Sequence, residues 1–116
     1  MSILSVELQD KLHKDFPSLY SNLNDNFWIP EGWYDFVYNL SSDVYEEIQK
    51  LDESIKNDYY VVQVKIKFSG LRYYMSKSTP TIDEIISIYE NKSYDICVYC
   101  GKDLCTACAI IKNIIE

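Results

Sequence analysis

Histidine, glycine and proline are scarce in this chain: 116 residues hold one His, three Gly and three Pro. Three glycines cannot furnish a Gly-rich loop leading into a helix to cradle phosphates, and no serine stands in a nucleophile elbow. The lone His13 has no catalytic partner set in the sequence, and neither Glu46-Glu47 nor Asp83-Glu84 reads as a poised acid and base pair. A non-enzymatic protein is expected. No apolar run approaches the roughly eighteen residues of a membrane span, and the first residues carry no apolar signal-peptide core. The expected setting is therefore cytoplasmic, with no membrane partner. Basic side chains are also few: eleven Lys and Arg face eighteen Asp and Glu, a net charge of −7. Proteins that grip phosphate backbones with their whole surface carry the opposite sign, so direct nucleic-acid binding is disfavoured on composition.

What is present begins with an ordinary globular balance, 47% hydrophobic and 25% charged, which suits a single domain over residues 1–116. All four cysteines fall in the last twenty residues as Cys97, Cys100, Cys105 and Cys108, a C-x2-C-x4-C-x2-C pattern. Four soft thiolates in two close pairs are the ligand set of a structural tetrahedral zinc. Gly101 after the second Cys fits a knuckle whose amides face the sulfurs. The second pair falls at the start of an expected helix, with Asp103 as N-cap and Leu104, Ala107, Ile111, Ile114 and Ile115 as its apolar stripe. A knuckle followed by a helix N-terminus is the treble-clef arrangement, so residues 94–116 read as a zinc-binding C-terminal subdomain. An iron–sulfur cluster is the alternative, since Cys100, Cys105 and Cys108 share the C-x4-C-x2-C spacing of plant-type ferredoxins. Four thiolates and one Zn2+ would take the net charge from −7 to −9.

The remainder reads as helices around one hairpin. Leu4, Leu8 and Leu12 recur every four residues until Pro17 ends a first helix. A long helix is expected to start near Glu31, with Trp33, Phe36, Val37, Leu40, Val44, Ile48 and Leu51 as its core stripe. Two strands, Tyr59 to Phe68 and Leu71 to Met75, are joined through Ser69-Gly70. Thr81 and Glu84 form a capping box before a helix that buries Ile82, Ile85, Ile86 and Tyr89. The fold class is α+β: helices packed on a β-hairpin, closed by the metal knuckle and its helix.

Charge is unevenly spread over that order. Residues 1–58 hold twelve acids and four bases, residues 59–80 hold four bases and no acid, and residues 81–116 hold six acids and three bases. Strand alternation puts Val62, Val64, Ile66 and Phe68 on one face and Gln63, Lys65 and Lys67 on the other. On the second strand Leu71, Tyr73 and Met75 point inward, leaving Arg72 and Tyr74 beside the lysines. Lys65, Lys67, Arg72 and Tyr74 thus form a candidate nucleic-acid face, or a solvated face that answers the protein's own acids.

The ordered set Gly32-Trp33-Tyr34, then Lys65-Ile66-Lys67-Phe68-Ser69-Gly70-Leu71-Arg72-Tyr73-Tyr74, then Ser93-Tyr94 and Cys97-x2-Cys100-Gly101 resembles a family. It is similar to small uncharacterised proteins of bacteriophages, prophages and bacteria with a "GW" helix, a "KFG-x-LR-x-Y" hairpin and a C-terminal CxxCG motif. The similarity runs over about residues 28–108. Ser69 stands where the family often has Gly, and the loop between the Cys pairs is shorter here. The resemblance implies a mobile-element setting and no mechanism.

Aromatic residues reach 15%, with eleven tyrosines. Tyr34, Tyr38 and Tyr45 flank the core stripe of the long helix, whose outer surfaces carry Asp43, Glu46 and Glu47. Tyrosine gives large contact area at low entropic cost, so these six residues form a candidate partner surface. The expected partner is a host protein that is basic or handles nucleic acid, drawn to the acidic face. The expected role is an inhibitor of bacterial defence (anti-CRISPR-like) or of nucleic-acid processing. The alternative is a zinc-bearing nucleic-acid accessory or regulatory protein that uses the basic hairpin. Oligomeric state is left open.

Overall fold

A computed structural model of the protein describes residues 3–23, 27–103 and 105. Helix α1 (Val6–Asp15) starts where the Ser5 side chain accepts the Leu8 N–H at 3.3 Å. Its apolar stripe of period four turns inward: Leu4 and Leu12 are buried and Leu8 packs against them. Pro17 follows the end of α1 as expected, and it also opens a second short helix, α2 (Pro17–Tyr20), which the sequence reading missed. A proline at the first helical position loses no hydrogen bond, so one residue serves as stop and as start.

A 3-10 turn at Glu31–Trp33 leads into the long helix α3 (Tyr34–Gln49). Val37, Leu40, Val44 and Ile48 are buried on one face, while Phe36 and Leu51 lie at its margin. Ser41 sits in that buried face too, and its hydroxyl donates to Val37 O at 2.7 Å. It therefore accepts from the Tyr20 hydroxyl, which in turn accepts from Tyr73 at 2.8 Å. This chain of donors ties α2, α3 and the hairpin together through the core. Burial pushes the Tyr20 phenol up to about 12 and raises Tyr73 well above the ordinary value.

The hairpin is β1 (Val61–Lys67) paired antiparallel with β2 (Gly70–Met75). Its two-residue loop is Phe68-Ser69, both at positive φ (51° and 67°), and not the expected Ser69-Gly70. Gly70 instead opens β2 opposite Lys67, and a Cβ there would lie 2.5 Å from the Tyr94 ring. Strict alternation also fails at two points. An irregularity between Val61 and Gln63 turns Val61 into the core, leaving Val62 half-buried. Phe68, placed on the inner face by alternation, is 81% exposed at the loop.

Helix α4 (Pro80–Ser93) is capped by Thr79, whose hydroxyl accepts the Ile82 N–H at 3.1 Å. The expected capping box at Thr81 is therefore corrected: Pro80 needs no partner for a missing N–H, so the helix starts earlier. Ile82 and Ile86 are buried, and Ile85 and Tyr89 pack beside them. Neither edge of the hairpin is bare. On β2, the Leu71 and Tyr73 amides donate to Ser93 Oγ at 2.8 Å and Glu90 Oε2 at 2.9 Å on α4. On β1, the Trp28 N–H donates to Val64 O and the Ile66 N–H to Trp28 O. The molecule is a small α+β fold, with helices and an extended segment closed around one hairpin.

Candidate metal centre and basic-aromatic sheet face

The cysteine motif folds locally into a knuckle. The Gly101 N–H donates to Cys97 O at 2.9 Å, and the Cys97 N–H donates to Lys102 O at 2.9 Å. Gly101 takes φ of 78°, left-handed backbone that glycine adopts freely, in keeping with the expected knuckle. The Tyr99 N–H points at Cys97 Sγ at 3.4 Å, a contact that favours thiolate. Cys97, Cys100 and Cys105 hold their sulfurs within 4.8 Å of one another, close enough to share one metal ion. Cys100 Sγ and Cys105 Sγ are 3.6 Å apart. That exceeds a disulfide bond of about 2.05 Å and approaches the roughly 3.8 Å edge of a tetrahedron with zinc–sulfur bonds of about 2.3 Å. Cys108 and the expected helix bearing Leu104, Ala107, Ile111, Ile114 and Ile115 lie outside the described residues. Asp103 pairs with Ile96 in an isolated bridge, and its carboxylate takes Lys92 Nζ at 2.9 Å, anchoring the knuckle to α4.

The knuckle is docked on the start of α3. The Gly32 N–H donates to Val98 O at 3.2 Å, and the buried Trp33 indole Nε1–H donates to Ile96 O at 3.0 Å. A Cβ on Gly32 would lie 2.5 Å from Val98 O, and one on Gly101 would strike the Gly32 carbonyl. The Gly32-Trp33 pair and the Cys97-x2-Cys100-Gly101 motif are thus two sides of one close backbone contact. Nothing in their spacing along the chain signalled this.

The basic hairpin carries the second cluster. Lys65 is the cross-strand partner of Arg72, and on its other side it bridges in parallel with Trp28. Bridge partners share a face, so Trp28, Lys65 and Arg72 form one row across three extended segments. Tyr74 stands next to that row, with Lys65 Nζ 5.8 Å from its ring centre. The Arg72 guanidinium lies 3.4 Å from the Tyr94 hydroxyl. Trp28, Tyr74 and Tyr94 are each roughly half exposed. Lys67 follows towards the loop, where its Nζ lies 5.5 Å from the Phe68 ring. The face expected from Lys65, Lys67, Arg72 and Tyr74 is assembled, and it gains Trp28, Tyr94 and Phe68. Trp28 was invisible as a member because a non-local backbone pairing brings it there.

The other candidate surface is divided. Tyr34, Tyr38 and Tyr45 are half-buried along one flank of α3, packed against the core. Tyr38 meets Phe16 edge-on and donates to Asp15 Oδ2 at 2.8 Å, a bond that raises its pKa. Tyr45 packs on Phe16, and Lys11 Nζ stands 6.0 Å from the Tyr34 ring. At about 100° per residue, Asp43 and Glu47 lie roughly opposite these tyrosines, so the six residues do not meet in one patch. Asp43 accepts from the Tyr89 hydroxyl at 2.5 Å; burial and then that carboxylate push Tyr89 up to about 12. Glu47 pairs with Lys50 at 2.8 Å, and Glu46 is exposed.

No protein-family model, curated protein or solved structure matches the chain. Among the described residues, no helix is long and apolar enough to cross a membrane.

Proposed function

We propose that this is a non-enzymatic binding protein that holds single-stranded nucleic acid on its sheet face, with the metal knuckle as a structural brace. The observation that carries this reading is the Trp28–Lys65–Arg72 row, flanked by the exposed Tyr74 and Tyr94. Aromatic faces stack on unpaired nucleobases of any sequence, while neighbouring lysine and arginine side chains neutralise the phosphates between them. The net −8 over residues 1–58 favours the same outcome by repelling a strand from the helical side and confining it to the sheet. In the knuckle, Cys97, Cys100, Cys105 and Cys108 would hold zinc; an all-thiolate set with no open position supports a structural role. Such a metal would fix the Gly32-Trp33 turn, four residues after Trp28, and so hold Trp28 in its row.

Short oligothymidylate binding, followed by fluorescence anisotropy across a salt series, tests this. Contacts from Lys65, Lys67 and Arg72 should give a slope of log K against log salt of about −2. Lys65→Glu with Lys67→Glu should weaken binding at least about ten-fold and flatten that slope. Metal analysis of protein purified without added metal should find one zinc per chain, and Cys97→Ser should abolish it. A wild-type chain that ignores single strands would sink the reading.

A second reading rests on the same −8: capture of a basic, nucleic-acid-handling host protein by the acidic helical side, in the manner of an inhibitor carried by a mobile element. Exposed Glu46 and Asp35 support it. Recovery of such a protein from host lysate, lost on charge reversal at Glu46 and Asp35 and untouched by the lysine changes, would favour it.

A further inference from the structure

The hairpin loop is built against its own backbone preference. Phe68 and Ser69 both sit at positive φ, 51° and 67°, in the two-residue loop between Lys67 and Gly70. Such loops are the territory of Asn and Gly, and a bulky side chain in left-handed backbone is an outlier that persists where something else requires it. The fold does not require the Phe68 ring. It is 81% exposed, the most exposed large apolar side chain among the described residues, and it lies outside the core and its packed margin. Among the described residues, the group over its ring is the Lys67 ammonium at 5.5 Å.

The surroundings narrow what the ring meets. Residues 59–80 contain Lys65, Lys67, Arg72 and Lys77 and no acid. Going from the Trp28–Lys65–Arg72 row towards the loop, the next outward position on β1 is Lys67, about 7 Å along the strand, and Phe68 comes directly after it. A strand of nucleic acid laid on the row would run past Lys67 to a bare aromatic ring. We infer that Phe68 is a recognition residue whose ring stacks on, or wedges beside, an unpaired nucleobase at the hairpin tip. This rests on the single-strand reading of the same face, and it adds a residue that acts without charge.

The test uses Phe68→Asn and Phe68→Tyr in the full chain, with the oligothymidylate as probe. Asn suits left-handed backbone, so Phe68→Asn should melt higher than wild type, by about 3–6 °C. The same variant should bind about ten-fold or more weaker, with the salt slope unchanged, because stacking releases no counterions. Phe68→Tyr should retain affinity. A gain in stability with a loss of binding cannot come from damaged folding, so that pairing supports the inference directly. Wild-type affinity in Phe68→Asn overturns it while leaving the sheet reading intact. A wild-type chain that binds no single strand overturns both. Binding of wild type to anionic lipid vesicles, lost in Phe68→Asn, with no oligonucleotide binding, assigns the ring to a membrane surface and overturns it as well.

Discussion

Where they pack against the helices, several tyrosines are tied down through their polar tips, while the buried Tyr34 hydroxyl has no partner among the described residues. Tyr38 gives its proton to Asp15, Tyr89 to Asp43, and Tyr73 to Tyr20, which passes the chain of donation on to Ser41. On the sheet side, Trp28, Phe68, Tyr74 and Tyr94 are each 42% exposed or more, and the charges beside them are Lys65, Lys67 and Arg72. The two regions draw on the same residue types. The difference lies in what surrounds them: a carboxylate or hydroxyl within the fold closes a tyrosine into structure, whereas a lysine or arginine beside an exposed ring, even one that meets the Tyr94 hydroxyl, leaves the ring face open. Aromatic content alone says that a small acidic protein has contact surface to spend. Only the partner of each ring says whether it has been spent internally.

This contrast can be broken or sharpened by measurement. The largest effect is expected where the sheet side is braced, at Trp33→Ala. Loss of a fully buried indole should cost about 3–5 kcal/mol in chemical denaturation and should weaken metal retention, since the Nε1–H bond to Ile96 O goes with it. Metal retention equal to wild type would separate the knuckle from the core. Next, Tyr20→Phe removes the middle of the buried chain and leaves the Tyr73 hydroxyl without its acceptor. A cost of about 1–3 kcal/mol is expected, with oligonucleotide binding unchanged.

The alkaline limb reports the same network. Tyr20 and Tyr73 have pKa values raised on folding, so the folded state holds protons that the unfolded chain releases above about pH 10. Their stabilisation is complete below that pH and declines above it, for Tyr20 as pH rises towards about 12. Each should contribute a slope of up to about 1.4 kcal/mol per pH unit, read as denaturant midpoints falling together with the appearance of tyrosinate absorbance. Tyrosinate absorbance from all eleven tyrosines in the native state near pH 10 would contradict the burial of these phenols. The smallest effect is expected at Tyr38→Phe, which removes one solvent-facing bond to Asp15. A melting shift of about 2 °C or less is expected, with no change in oligonucleotide binding. Weaker capture of a basic host protein by this variant would restore the tyrosine flank as a partner surface.

Much of the fold was legible in local patterns, because those patterns reflect local physics. The 3.6-residue stripe on α3 and the four-residue spacing on α1 marked the buried faces, since helical geometry alone brings those positions together. The basic island in residues 59–80 and the C-x2-C knuckle were likewise readable, being short-range features of composition and turn chemistry. Thr79 as cap and Phe68-Ser69 as loop were missed by one or two residues. In the first case Pro80 permits an earlier start; in the second, Phe68 and Ser69 take the positive-φ backbone and place the turn one residue earlier.

The amino-acid sequence by itself determined the class of the fold, the sign of the charge on each stretch and the thiol chemistry at the C-terminal end. Tertiary structure alone decided which aromatics remain open. It set Trp28 beside Lys65, laid Gly32 and Trp33 against the knuckle, and covered β2 with Ser93 and Glu90. Each of these is a pairing of backbone groups far apart in the chain. Such pairings leave no period or spacing to read, because the partner that satisfies a buried amide is chosen by packing and not by neighbours in sequence.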